Sequence, residues 1–173
     1  MSHPIDPHIH ASEEEPREDI SEALRGALGE WPAGVVVVTT EEDGRAQALT
    51  VTSFAPVSLE PPLVLICLHA DAPVTDVLLA TRRFGVSLLE AGQKGVANRF
   101  SDRLTLHTEA LETVDGVPVV RDAVWSLVCD LHEAHVGGTH RIAVGRVHRV
   151  VRRDGHALLY LSGGYRPVGN DGT

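Results

Sequence analysis

The chain has 173 residues, 43% hydrophobic and 23% charged, with a formal net charge of −9. That length and balance fit one soluble globular domain with a substantial core, and the acidic surplus argues against a nucleic-acid or anionic-membrane partner. No apolar run approaches the roughly 20 residues that cross a bilayer, and the polar, acidic start lacks the pattern of a secretory signal, so a cytoplasmic protein is expected.

Residues 1–15 mix His, Pro, Ser and Glu without a period and are expected as a disordered tail before a folded domain over 16–173. His8-Ile9-His10 in that tail is read as solvated, because no further metal ligand is fixed nearby. A helix is predicted from Pro16, with Ile20, Leu24, Ala27, Leu28 and Trp31 on one face and Gly29 and Pro32 ending it. Val35 to Thr40 reads as a β-branched strand, Glu42-Asp43-Gly44-Arg45 as a hairpin turn, and 46–54 as the returning strand. Thr50 and Thr52 share one face of it and Ser53 lies on the other. The Glu60-Pro61-Pro62 bend leads into Leu63 to Leu68, an unbroken apolar run that predicts a strand buried on both sides.

Asp71-Ala72-Pro73 opens a second helix with Val74, Val77, Leu78 and Thr81 inward, and Phe84 to Leu89 is again a strand. Gln93 to Phe100 predicts a third helix, Thr105 to Val114 a strand with an irregular lead-in, and Asp115-Gly116-Val117-Pro118 a turn. Ser126 to Val136 and His140 to Val151 are long strands joined by Gly137-Gly138, and Ala157 to Leu161 is the last. Seven or more hairpin-linked strands with three short helices predict a mainly β architecture, a barrel. Cys67 and Cys129 fall in strands without CxxC spacing and are read as reduced thiols, a disulfide being the alternative. His132, His135 and His140 suggest a metal cluster, but strand alternation puts 132 and 135 on opposite faces, so no metal is expected. No GxGxxG, Walker loop, HExxH or GxSxG is present.

Three stretches together resemble the short-chain NAD(P)H:flavin oxidoreductases, the reductase partners of two-component monooxygenases. They are Trp31-Pro32-Ala33-Gly34-Val35-Val36-Val37-Val38-Thr39-Thr40, Thr50-Val51-Thr52-Ser53-Phe54, and Val57-Ser58-Leu59-Glu60-Pro61-Pro62-Leu63-Val64. Gly137-Gly138-Thr139-His140 stands where that family has Gly-Asp-His, and Gly145-Arg146-Val147 and Gly163-Gly164-Tyr165 match later landmarks. The resemblance, running from about Ile20 to Tyr165, implies an FMN-binding split β-barrel of Greek-key type, a homodimer, and a flavin reductase handing reduced flavin to a monooxygenase. FMN is the expected flavin with FAD the alternative, and NADH or NADPH the co-substrate, NADH slightly favoured because no Arg cluster marks a 2′-phosphate pocket.

The same resemblance implies roles for residues. Ala48, Leu49 and Thr50 line the ring edge; Thr52 and Ser53 contact ring or phosphate; Cys67, Leu68 and His69 flank the ribityl-phosphate. Thr75, at the start of the second helix, either receives a phosphate or serves its own backbone. Ser87 takes the place of a common Asn, Phe100 matches an Arg-Phe pair and reads more as core, and Tyr165 closes the site from the last loop. His140 is the residue expected beside the nicotinamide, and Thr139 there removes the carboxylate that would orient it. Two rival readings are a flavin-binding barrel that keeps its cofactor with little reductase activity, and a barrel for another planar ligand such as heme.

Overall fold

The structure is a computed structural model, and it describes residues 18–101 and 108–168. The predicted tail, His8-Ile9-His10 and the lead-in 105–107 lie outside them. In chain order the elements are α1 (Glu18–Gly29), β1 (Ala33–Gly34), β2 (Val36–Glu42), β3 (Arg45–Val51), β4 (Phe54–Leu59) and β5 (Pro62–His69). Then follow α2 (Pro73–Thr81), β6 (Arg83–Leu88), α3 (Lys94–Ser101), β7 (Leu111–Val114) and β8 (Val117–Val120). The chain closes with β9 (Trp125–Gly137), β10 (His140–Arg152), β11 (Leu158–Leu161) and β12 (Gly164–Pro167). Among the described residues no helix is long and apolar enough to cross a membrane.

Seven antiparallel strands form the main sheet in the order β3-β2-β6-β9-β10-β5-β4. Its edge strands β3 and β4 are consecutive in sequence, separated only by Thr52 and Ser53. Three Cα–Cα steps span at most about 11 Å, whereas the edges of a flat seven-stranded sheet would stand roughly 29 Å apart. The sheet must therefore roll until its edges approach, giving a barrel left open along the β3/β4 seam. The strand predicted as continuous over 46–54 is thus two strands, broken where the chain steps across that seam.

Two cores follow from the rolling. Val36, Val38, Ile66, Phe84, Val86 and Cys129 fill the barrel, with Leu49, Val51 and Phe54 packed on them. Val35, Val37, Ala97, Phe100, Val120 and Leu158 form a second core outside it. The valine run of β2 is buried on both faces because it serves both cores. Burial, helped by the Asp130 charge, pushes the Cys129 thiol up to about 12, so it packs as a neutral side chain.

Several expectations are corrected. Leu63 to Leu68 alternates: Val64, Ile66 and Leu68 are buried, while Leu63, Leu65 and Cys67 are half-buried, because no element of the described chain covers the outer face of β5. Val117-Pro118 belongs to strand β8 and only Asp115-Gly116 turns, both at positive φ. Strand β12 was not expected; a Ser162-Gly163 turn at positive φ folds it onto β11. Near the hairpin tip a register shift between Val144 and Gly145 leaves His132 as an extra residue on β9. Strict alternation consequently fails there, and both His132 and His135 reach the Glu133 carboxylate, at 3.8 and 3.1 Å. Among the described residues no group of three or more His, Cys, Asp or Glu side chains is arranged to hold a metal.

Candidate functional site

An open groove of about 240 Å³ lies beside the barrel seam, lined by Val35, Thr50, Val51, Thr52, Ser101, Tyr160 and Tyr165. β3 forms one wall. As an edge strand it leaves alternate backbone N–H groups unpaired by β2. Thr50 donates its hydroxyl to the Ala97 carbonyl of α3 at 2.8 Å, which seats the helix over the strand. Thr52 is exposed in the bend, and its hydroxyl has no hydrogen bond among the described residues. The opposite wall is Tyr160 and Tyr165, paired across β11 and β12 with ring centroids 5.5 Å apart. Burial first and Tyr160 second raise the Tyr165 phenol above its ordinary value, so it remains a neutral donor.

The seam carries the site onward to the other edge of the sheet. Ser53 donates to the Cys67 carbonyl at 2.6 Å and accepts the Cys67 N–H at 3.2 Å, clipping the bend to β5. Two residues further along β5 stands His69, opposite His140 of β10 in the strand register. Thr50, Thr52 and Tyr165 thus line the groove itself, while Ser53, Cys67, His69 and His140 follow from its Thr52 end through the Ser53–Cys67 clip and the β5–β10 register.

The other residues singled out in the sequence are placed elsewhere or offer only their backbone. Leu49 packs on the barrel core, Ala48 on the second core, and Leu68 is buried inside the barrel. Thr75 is 1% exposed and donates to the His69 carbonyl at 2.8 Å, so it serves its own backbone. Ser87 is sealed in the interior, accepting from Val120 N–H at 3.0 Å and Ser126 hydroxyl at 2.9 Å. Phe100 is a core residue. Val35, Val51, Ser101 and Tyr160 line the groove without having been expected. The Tyr160–Tyr165 pairing across the Ser162-Gly163 turn was the signal available for Tyr160.

The donor set suits a flat, partly apolar, hydrogen-bonding ligand such as an isoalloxazine: aliphatic and aromatic walls, edge amides, one free hydroxyl and a neutral phenol. Two other hollows, of about 230 and 370 Å³, border the β2–β3 hairpin. Glu41, Glu112 and Arg121 line one and Glu42, Asp43 and Arg45 the other, so each has two carboxylates against one guanidinium and a net negative wall.

A split antiparallel barrel with a planar-ligand groove at its seam defines a flavin-binding class of protein. Residues 28–169 match the flavin reductase like domain, and the chain belongs to that family. It is 38% identical over 149 residues to the NADH-dependent FAD reductase of Streptomyces globisporus, covering 82% of this chain and 81% of that one. It is 36% identical over 148 residues to the reductase component of 4-hydroxyphenylacetate 3-monooxygenase from Thermus thermophilus, covering 85% and 96%. The NADH:FAD oxidoreductase SgcE6 of Streptomyces globisporus C-1027, solved with NAD and FAD fragments, superposes with a TM-score of 0.83 at 34% identity, covering 92% and 99%.

Proposed function

We propose that this protein is an NADH-dependent flavin reductase that supplies reduced FMN or FAD to a separate monooxygenase. The observation that carries the reading is the groove at the seam, where the Thr50–Ser53 segment faces Tyr165 and connects through Cys67 to His69 and His140. The flavin supplies the redox chemistry, accepting hydride from the reduced nicotinamide, and the protein's part is to bind and orient. Edge-strand amides and the Thr52 hydroxyl hold the polar edge of the ring system, the two tyrosines bound it on the other side, and His140 meets the nicotinamide. The groove is small and has no Arg or Lys among its lining residues, so the ring end shared by FMN and FAD is what it selects. The names of the relatives support NADH as the reductant and a monooxygenase as recipient. Two free thiols suit a cytoplasmic setting.

The working unit is a homodimer. The short helix α1 leaves Leu24 and Leu28 55 and 61% exposed on its apolar face, and Trp31 just past its end is 70% exposed, on a helix too short to persist alone in water. Residues 140–153 carry five arginines and no acid, whereas residues 1–30 carry eight acids and two arginines, so opposite charges favour a second copy as the cover. Leu24→Glu with Leu28→Glu should convert a dimer to a monomer in size-exclusion chromatography with light scattering. A monomeric wild type, or an unchanged double variant, would remove this part of the reading.

Mixing pure protein with FMN or FAD and NADH and following absorbance at 340 nm tests the activity. Sustained NADH consumption is expected. Tightly held yellow cofactor without turnover would favour the cofactor-retaining reading instead.

A further inference from the structure

His69 ends β5 and His140 opens β10, and their rings meet edge to face, centroids 5.2 Å apart with planes at 71°. The two rings are not held alike. The His69 carbonyl accepts the Thr75 hydroxyl at 2.8 Å and the Ala72 N–H at 3.0 Å, while its Nδ1 accepts the Asp71 N–H at 3.2 Å. The same nitrogen stands 3.8 Å from the Asp71 carboxylate, so Asp71 holds that edge of the ring by its N–H when Nδ1 is bare and by its carboxylate when Nδ1 carries a proton. The turn into α2 thus fixes the backbone of His69 through its carbonyl and steadies the ring through Asp71.

His140 follows directly on Gly138-Thr139, with Gly138 at φ +59. Among the described residues, the one hydrogen bond of its ring joins Nδ1 to the hydroxyl of exposed Thr139, 3.0 Å away. A single rotatable hydroxyl leaves an imidazole free to change rotamer, and a fixed ring packed against it takes that freedom away. The backbone supports the contact, because Ala70 N–H donates to the Thr139 carbonyl at 2.9 Å and keeps the two strand ends in step.

We propose that His69 is the positioning residue for His140, its ring setting the plane in which His140 meets the nicotinamide. This rests on the reading of His140 as the nicotinamide contact, and it moves the effect of His69 from the flavin, where it was expected, to NADH. Ring packing against His140 carries the effect and the Asp71 contact only steadies the ring, so phenylalanine should largely replace His69 and alanine should not.

The test compares His69→Ala, His69→Phe and His140→Ala, varying NADH at saturating FMN, with FMN affinity measured separately by fluorescence quenching. His140→Ala should raise KM for NADH about tenfold, and His69→Ala about three- to tenfold, the size of one edge-to-face ring contact. FMN affinity should stay within about twofold in both, and His69→Phe should return KM for NADH to within about twofold of wild type. Equal impairment by His69→Ala and His69→Phe, or an FMN affinity that falls as far as KM rises, overturns the inference. A shifted His140→Ala with an unshifted His69→Ala overturns the pairing alone. An unshifted His140→Ala overturns the nicotinamide reading and the pairing with it.

Discussion

Thr52→Trp lowers flavin affinity about a hundredfold while moving the melting temperature by no more than about 2 °C. Thr52 lies in the bend between β3 and β4, exposed and outside any strand, and its hydroxyl has no partner among the described residues, so a large side chain there disturbs little of the fold. It also stands on the rim of a groove of only about 240 Å³, much of which an indole would fill. Excluding a tricyclic ring system forfeits the burial of an apolar area of some 100 Å² or more, about 3 kcal/mol, and a tenfold affinity change is about 1.4 kcal/mol. Isothermal titration with FMN reads the first quantity and calorimetric melting the second. Unchanged affinity in a folded variant would place the flavin elsewhere.

Gly85→Ala should cost about 3 kcal/mol of stability, lowering the melting temperature by roughly 6–12 °C. Gly85 lies in β6 where β8 crosses the barrel wall. A Cβ there would stand 2.5 Å from the Pro118 carbonyl oxygen and 2.5 Å from Thr39 Oγ1. The Thr39 hydroxyl donates to that same carbonyl, so neither neighbour can retreat without breaking the bond that fastens β8 to β2. The obstacle is backbone, which relaxes far less readily than a side-chain tip. Gly145 has a related role inside the barrel, where a Cβ would meet the Phe84 ring at 2.4 Å. A melting temperature within 2 °C of wild type for Gly85→Ala would contradict the close crossing.

Local chemistry made much of this architecture legible in the sequence. Asp43-Gly44 and the Gly137-Gly138 pair declared hairpins because positive φ is cheap for Gly and tolerated by Asp, and Asp43, Gly44 and Gly138 do adopt it. Hydrophobic run lengths placed β2, β5, β6, β9 and β10 within one or two residues. Features set by distant contacts were not legible. The break at Thr52-Ser53 exists because the sheet rolls, and rolling belongs to seven strands together. The half-exposed outer face of β5 looks like its buried face in sequence, since Leu63, Leu65 and Cys67 are as apolar as Val64, Ile66 and Leu68. The extra residue at His132 shifts the face of a histidine with no Gly or Pro next to it on its own strand to announce it, the glycine at that step being Gly145 on β10. At the site, hydroxyl residues were easy to nominate and hard to separate: Thr52 faces the groove, Thr75 and Ser87 are spent on internal hydrogen bonds, and only packing divides them.

The backbone of the seam is where the whole reading is most open to direct test. Amide 1H–15N spectra recorded during a titration with FMN should show shifts concentrated at Ala48 to Ser53, at Tyr160 and Tyr165, and along Cys67 to His69. Shifts confined to the acidic hollows beside Glu41 to Gly44, or a spectrum unmoved by saturating FMN, would contradict it.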